Sequence, residues 1–101
     1  MCTAPDPEEW FRMPRYIGLM KFRKQPTKEI VSRNLELIEK DKDLGVKIHE
    51  IYWTLGRYDA VAIFDAPDEK TALKMALERS ESMSGETMVA IPAEEARKLV
   101  G

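Results

Sequence analysis

The sequence predicts an α+β fold with the element order β-α-β-β-α-β and a short helix at the C-terminus. Apolar runs without a helical period alternate with segments whose apolar residues recur every three or four positions. The 101 residues are enough for one domain, and the 44% of hydrophobic residues are enough to fill its core. Both faces of the resulting sheet carry apolar side chains, which is unusual when helices cover one side only.

The first strand is predicted over residues 15–23, RYIGLMKFR, because the length of this run and its Tyr, Ile and Phe residues are typical of strands. A helix follows, with Thr27 as its N-cap. Val31 and Leu35 recur there at helical spacing. Gly45 is expected to end this helix in the left-handed conformation.

Two strands are predicted next, over residues 46–55 and 58–65. Gly56 and Arg57 between them fit a two-residue hairpin with Gly in the first position. This turn aligns two pairs of residues across the strands: Trp53 with Ala60, and Ile51 with Ala62.

The rest of the chain supplies the second half of the fold. Asp68 is the expected N-cap of the second long helix. The polar residues 80–86 are predicted to form a loop, and residues 87–91 the fourth strand. A short helix follows from Pro92 to Val100, with Pro in the first position that helices favour.

The connections determine the order of the strands. A right-handed crossover between the first two strands leaves a slot between them, because such connections are almost always right-handed. The hairpin can place the third strand in that slot, and the fourth strand then pairs on the far side of the first. This is a ferredoxin-like antiparallel sheet with helices on one face.

A second copy of the chain is expected to cover the other face of the sheet. In the first strand Ile17 and Leu19 lie on one face, and Met20 and Phe22 lie on the other, together with Trp53 of the hairpin. One layer of helices cannot cover both faces. We therefore expect a homodimer in which two sheets meet.

Residues 1–14 form a predicted N-terminal extension, and residues 15–101 form the domain. The extension is rich in Pro and acidic residues, which do not favour regular pairing. Trp10 and Phe11 are the exception, and we expect them to dock on the domain or on a second chain. Cys2 lies in the extension and is expected to be incidental.

Composition excludes several classes of function. With 16 Lys and Arg against 18 Asp and Glu, the formal charge is −2, which argues against nucleic acid or anionic membranes as partners. One Cys and one His cannot make an intrachain disulfide or a thiolate or multi-His metal site, so neither metal nor cofactor is predicted. The start resembles no secretory signal, and a cytoplasmic location is expected.

Two segments, MPRYIGLMKF and VKIHEIYWTLGRYDAVAIFDAPDEKTALKMAL, resemble the GYD domain family. The namesake element is the Gly56-Arg57-Tyr58-Asp59 turn. The resemblance covers residues 13–100, apart from much of residues 80–86, and implies a ferredoxin-like, dimeric α+β barrel. The wider superfamily includes small monooxygenases, haem-degrading and dismutating enzymes and amino-acid-sensing regulatory modules. A fold with so many uses does not decide the activity.

His49 is the only imidazole of the chain and one of two isolated candidates for chemistry. It is suited to act as a general base or as a single metal or haem ligand, the alternative being a strand histidine at the rim of the sheet. Lys21 interrupts an apolar strand. If it shares the helix-facing side with Ile17 and Leu19, it either pairs with an acid or serves as an anion or Schiff-base site.

The turn beside Trp53 is the sharper candidate. Arg57 is suited to hold an anionic group, with Tyr58 or Tyr52 donating a hydrogen bond. The alternative is a purely structural hairpin in which Asp59 caps backbone amides or pairs with Arg57.

These candidates favour a protein that binds a small, partly apolar and anionic ligand in a cavity. Its expected lining is aromatic: Tyr16, Trp53, Tyr58 and Phe64. Two alternatives stay open. One is a cofactor-free enzyme of the monooxygenase type, and the other is a structural or regulatory subunit without a ligand.

Removal of residues 1–12 is expected to leave the fold intact, because the segment with family resemblance opens at Met13. Any loss comes from docking of Trp10 and Phe11, at about 1.5–3 kcal/mol for each fully buried large apolar side chain. Urea denaturation of the truncated and full chains measures this loss. A truncated chain that does not fold would place the extension in the core.

Overall fold

The computed structural model of the protein describes residues 14–100, in which four strands and three helices alternate. The strands are β1 (Arg15–Phe22), β2 (Lys47–Trp53), β3 (Ala60–Asp65) and β4 (Met83–Ala90). The helices are α1 (Lys28–Asp43), α2 (Glu69–Glu78) and α3 (Ala93–Val100). The predicted extension, with Cys2, Trp10 and Phe11, lies outside the described residues except for Pro14 at its end.

The strands form one antiparallel sheet in the order β2-β3-β1-β4. β3 lies in the slot between β1 and β2, and β4 lies on the far side of β1. The α+β class and the predicted strand order are both confirmed.

Both long helices begin at the predicted N-cap residues, Thr27 and Asp68. The Thr27 hydroxyl accepts a hydrogen bond from the amide of Ile30 at 3.2 Å, and the Asp68 carboxylate accepts one from the amide of Thr71 at 2.8 Å. Each cap satisfies an amide that the first helical turn leaves without a partner. Gly45 follows α1 with a φ of +85°, the left-handed conformation that glycine favours.

The turn between β2 and β3 is longer than predicted. The last backbone hydrogen bond of the hairpin joins the Thr54 amide to the Asp59 carbonyl at 2.8 Å, so residues 55–58 make the turn. Asp59 is held toward β1, because its carboxylate accepts a hydrogen bond from the amide of Phe22 at 2.8 Å. This contact anchors the turn to the central strand and is the capping role expected for Asp59.

A β-bulge in β2 interrupts the alternation of its side chains. Ile48 pairs with Phe64 and Glu50 with Ile63, so His49 is an extra residue on the β2 side. The bulge therefore places both His49 and Glu50 on the face of the sheet that also carries Ile63. Beyond it, the predicted cross-strand pairs are confirmed: Trp53 with Ala60, and Ile51 with Ala62.

The core lies on the face of the sheet toward α1 and α2. Tyr16 and Phe64 stack there with their ring centroids 5.5 Å apart, and Ala72 and Met75 of α2 pack against them. This face is called the helix face below, and the opposite one the open face.

The strand alternation places Ile17, Leu19 and Lys21 on the open face. Lys21 therefore shares a face with Ile17 and Leu19, but this face is turned away from the helices, so the condition that it is the helix-facing side is not met. The alternate residues of β1, including Tyr16, lie on the helix face instead.

Strand β4 begins four residues earlier than predicted, because residues 83–86 of the predicted loop pair with β1 through their backbone. Met83 pairs with Phe22 and Gly85 with Met20. At Gly85 the strands approach so closely that a Cβ atom would lie 2.2 Å from the carbonyl oxygen of Leu19. Glycine is required here by space, and a polar, glycine-containing segment does not reveal a strand by its pattern.

Gly85→Ala is expected to lower the free energy of unfolding by about 1–3 kcal/mol, the usual range for overpacking. The matched control is Gly18→Ala in β1, where the nearest atom to the added carbon is Cε1 of Phe64 at 3.9 Å. That distance is an ordinary contact, so Gly18→Ala should be neutral or slightly stabilising. Urea denaturation distinguishes the two, and equal effects would contradict the close approach of β4 to β1.

Candidate functional site

A cavity of about 370 Å³ lies between the helix face of the sheet and the helices α1 and α2. Its volume falls in the range of about 300–1,000 Å³ that is typical of small-molecule pockets. Large apolar side chains from three strands and from α2 contribute much of the wall: Met20, Phe22, Ile51, Trp53, Met75 and Met83.

Small residues in the two central strands leave this space open. Gly18, Ala60 and Ala62 line the cavity where larger side chains would fill it. On the opposite wall, α1 presents Val31 and Leu35, and the Leu35 residue is still 59% exposed. The cavity is therefore open to solvent beside α1.

The polar groups of the wall are few, and its guanidinium is already paired. Arg79 follows α2 and donates hydrogen bonds to the carboxylate of Asp41 and to the carbonyl of Met75. Asn34 of α1 and Thr87 of β4 add neutral groups to the wall. The cavity thus combines an apolar lining with neutral hydrogen-bonding groups and one neutralised ion pair.

Asp41 is fully buried at the end of α1 and joins it to α2 through Arg79. Burial raises the pKa of this carboxyl, Arg79 opposes the shift through a hydrogen bond and its charge, and nearby Glu78 adds to it. One oxygen, Oδ1, is buried without a hydrogen-bond partner among the described residues. The charge that balances Arg79 at this wall is therefore held out of water.

An aromatic pair marks the end of the cavity near the hairpin. The rings of Phe22 and Trp53 are tilted against each other with centroids 5.0 Å apart. Trp53 is 58% exposed, so its ring is part of both the wall and the protein surface. An aromatic ring in this position offers apolar contact area to a molecule that enters.

Of the predicted aromatic lining, Trp53 and Phe64 contribute to the cavity wall. Tyr16 is 3% exposed and belongs to the core. The Arg57 guanidinium lies over the ring of Tyr58, 5.8 Å from its centroid, and the Tyr58 hydroxyl donates to Glu86 at 3.3 Å. The turn thus carries a local polar cluster, and neither Arg57 nor Tyr58 lines the cavity.

The other three predicted site residues, Lys21, His49 and Tyr52, lie on the open face. The Tyr52 hydroxyl donates to the Glu50 carboxylate at 2.7 Å, and this hydrogen bond raises the pKa of Tyr52. The predicted candidates are therefore divided between two faces that the sheet separates.

His49 belongs to a cluster of three side chains on the open face, which we call the triad. The Arg15 Nε donates to Asp65 Oδ1 at 3.0 Å. The Nε2 of His49 lies 2.8 Å from Asp65 Oδ2 and 3.1 Å from Arg15 Nη2. Three adjacent strands thus bring one anion, one cation and one imidazole together.

Hydrogen bonds determine the charge state of Asp65. Burial by itself would raise the pKa of Asp65, but the hydrogen bonds and charges of Arg15 and His49 outweigh it and lower the pKa below its usual 3.8. Sequence reasoning missed Arg15 and Asp65 as site residues. The sequence offered one indication of this pair. Alternation along β1 places Arg15 on the same face as Ile17, and the antiparallel register of β1 and β3 pairs Arg15 with Asp65.

Within residues 14–100, no group of three His, Cys, Asp or Glu side chains is arranged to hold a metal ion. In the same residues, no helix has the length and apolar character needed to cross a membrane.

Comparisons with known proteins support the fold. A family model described as GYD domain matches residues 16–100. Among solved structures, the crystal structure of MtbAldR is similar with a TM-score of 0.54 and 12% sequence identity. The match covers 91% of this chain and 61% of that one, and at this identity it shows the fold alone. None of the curated proteins matches the chain.

Asp65→Asn is expected to lower the free energy of unfolding at neutral pH by about 1.5–3 kcal/mol, the range for hydrogen bonds to charged groups. Because the folded pKa of Asp65 is lowered, the ionised carboxylate stabilises the fold above the unfolded value near 3.8, and this stability is lost as the pH falls through the folded value. The variant should therefore have a flatter acid limb than the wild type.

Urea denaturation at several acidic pH values measures that limb. Arg15→Gln should flatten it too, since the guanidinium helps to lower the pKa of Asp65. An acid limb that is unchanged in both variants would contradict the charge state assigned to the triad.

Proposed function

The chain belongs to the GYD domain family, and we propose that it binds a small, mainly apolar molecule in the cavity between the helix face and helices α1 and α2. The single observation that carries this proposal is the cavity of about 370 Å³ with an apolar wall. Pockets for small molecules combine such a lining with a few polar groups that orient the ligand. Asn34 and Thr87 are suited to that role.

The charges at the wall favour an uncharged ligand. Arg79 is paired with the buried Asp41. Glu86 also borders the cavity, but strand alternation places its side chain on the open face, where its carboxylate accepts the Tyr58 hydroxyl. An anion would have to compete with Asp41 for the guanidinium. Arg57, which sequence reasoning assigned to an anionic group, lies outside the wall. We therefore propose a neutral ligand with one or two hydrogen-bonding atoms.

We further propose that two copies of the chain associate through their open faces. Four aliphatic residues of the central strands, Ile17, Leu19, Val61 and Ile63, are only half-buried there. A patch of this kind with a polar rim is typical of an interface.

The charges of the open face suit a second copy better than a partner of one sign. Three cationic and three anionic residues alternate around the patch: Arg15, Lys21, Lys47, Asp65, Glu50 and Glu86. A two-fold interface brings the same patch together with itself, so cations and anions must be present in similar numbers.

Binding is tested with two dyes that share one skeleton, the neutral N-phenylnaphthylamine and the anionic anilinonaphthalene sulfonate. The neutral dye should bind the wild type more tightly. Ala62→Leu puts a larger side chain into the cavity and should weaken its binding about tenfold or more, which corresponds to about 1.4 kcal/mol. Fluorescence titration measures both affinities.

The matched control is Ala93→Leu, the same change on the exposed surface of α3. It should bind the neutral dye like the wild type. Equal binding by Ala62→Leu and wild type would place the dye outside the cavity and contradict the proposed site. Tighter binding of the anionic dye would contradict the proposed neutrality of the ligand.

A further inference from the structure

The Nε2 atom of His49 has two neighbours that need opposite states of the nitrogen. Arg15 Nη2, at 3.1 Å, is a donor and requires a lone pair on Nε2. Asp65 Oδ2, at 2.8 Å, is an acceptor and requires a proton there. A neutral ring can satisfy one of them at a time, and a protonated ring can satisfy only Asp65.

Protonation of the ring changes the charge of the triad. With a neutral imidazole, the charges of Arg15 and Asp65 cancel. With an imidazolium, the triad carries one net positive charge, and the Asp65 carboxylate accepts hydrogen bonds from two cations, Arg15 and His49. An imidazole is the side chain whose ordinary titration falls between pH 5 and pH 8.

Other charged groups face the triad from its own strand, from α3 and from β4. On its own strand, Lys47 pairs with Asp65 in the register and Glu50 is bound by the Tyr52 hydroxyl. From α3, Glu95 acts on Arg15. From β4, Glu86 lies on the open face opposite Leu19, well along the strand from Arg15, and accepts the Tyr58 hydroxyl.

We infer that protonation of His49 weakens the association of two copies of the chain through their open faces. This inference rests on the proposed homodimer. In a two-fold dimer both triads lie at the interface, so acid adds one positive charge on each side. Removing an extra charge from water, or bringing it near its symmetry mate, disfavours the dimer. The separated chains expose the triad to water and accept the proton more readily.

The geometry of β2 supports the inference independently of charge. His49 is the extra residue of the bulge, and without the bulge it could not lie on the open face together with Glu50. Bulges often re-aim a side chain toward a functional surface. His49 is therefore placed at the edge of the apolar patch, with its side chain 24% exposed in the single chain.

Sedimentation velocity over a range of protein concentrations tests the inference. The dissociation constant of the wild-type dimer should rise about tenfold or more between about pH 7.5 and about pH 5.5, the interval in which an imidazole titrates. His49→Gln keeps a polar side chain that does not titrate, and its dimer should be nearly independent of pH over this interval. Tyr52→Phe, on the same strand and face, is the control that should keep the wild-type dependence.

The possible results separate this inference from the homodimer itself. A wild type that is monomeric at both pH values would overturn the homodimer and the inference together. A dimer with the same dissociation constant at both values, or a His49→Gln dimer that weakens like the wild type, would overturn the inference alone. None of these results bears on the proposed cavity ligand, which is tested separately with Ala62→Leu and Ala93→Leu.

A second measurement needs no variant. The chain has one His, so a single imidazole Cε1 proton reports its titration by NMR. At protein concentrations above the dissociation constant, the midpoint should lie at lower pH than at concentrations below it. Equal midpoints at both concentrations would show that the proton does not distinguish dimer from monomer.

Discussion

The β-bulge in β2 determines what each face of the sheet presents. In a regular strand, alternation would send Ile48 and Ile51 to opposite faces. The extra residue, His49, brings both isoleucines to the helix face, and Trp53 follows them. The same insertion leaves two consecutive polar residues on the open face. The apolar wall of the cavity near the hairpin and the triad on the other side therefore depend on one irregularity of the backbone.

Local signals in the sequence were enough to predict most of the fold. Thr27 and Asp68 cap their helices because the interaction that makes a cap spans only three residues. The strand order followed from the handedness of one crossover. The segment at residues 83–86 could not be predicted, because its pairing depends on the backbone of β1 and on the room that Gly85 leaves there.

The candidate sites were harder to predict, because they too depend on how distant segments of the chain pair. The pairing of Trp53 with Ala60 could be predicted because it depends on the hairpin alone, and Trp53 lies in the cavity wall. The triad joins Arg15, His49 and Asp65 from three strands, and it requires both the register of β1 on β3 and the bulge. The sequence IHEIYW is compatible with a regular strand or with a bulged one, so periodicity could not assign the face of His49.

The small residues of the central strands connect the fold to the proposed function. The middle of the helix face carries only small residues, Gly18, Ala60 and Ala62. Larger apolar side chains at these positions would fill the space between the sheet and the helices. Apolar side chains that stay exposed along an open cavity lose the stability that their burial would contribute. A domain of this size has little stability to spare. A chain that serves only as a structural subunit would gain by filling the space, whereas a binding protein must leave the volume that its ligand occupies. Retention of the cavity therefore supports a ligand more strongly than any single polar residue on its wall.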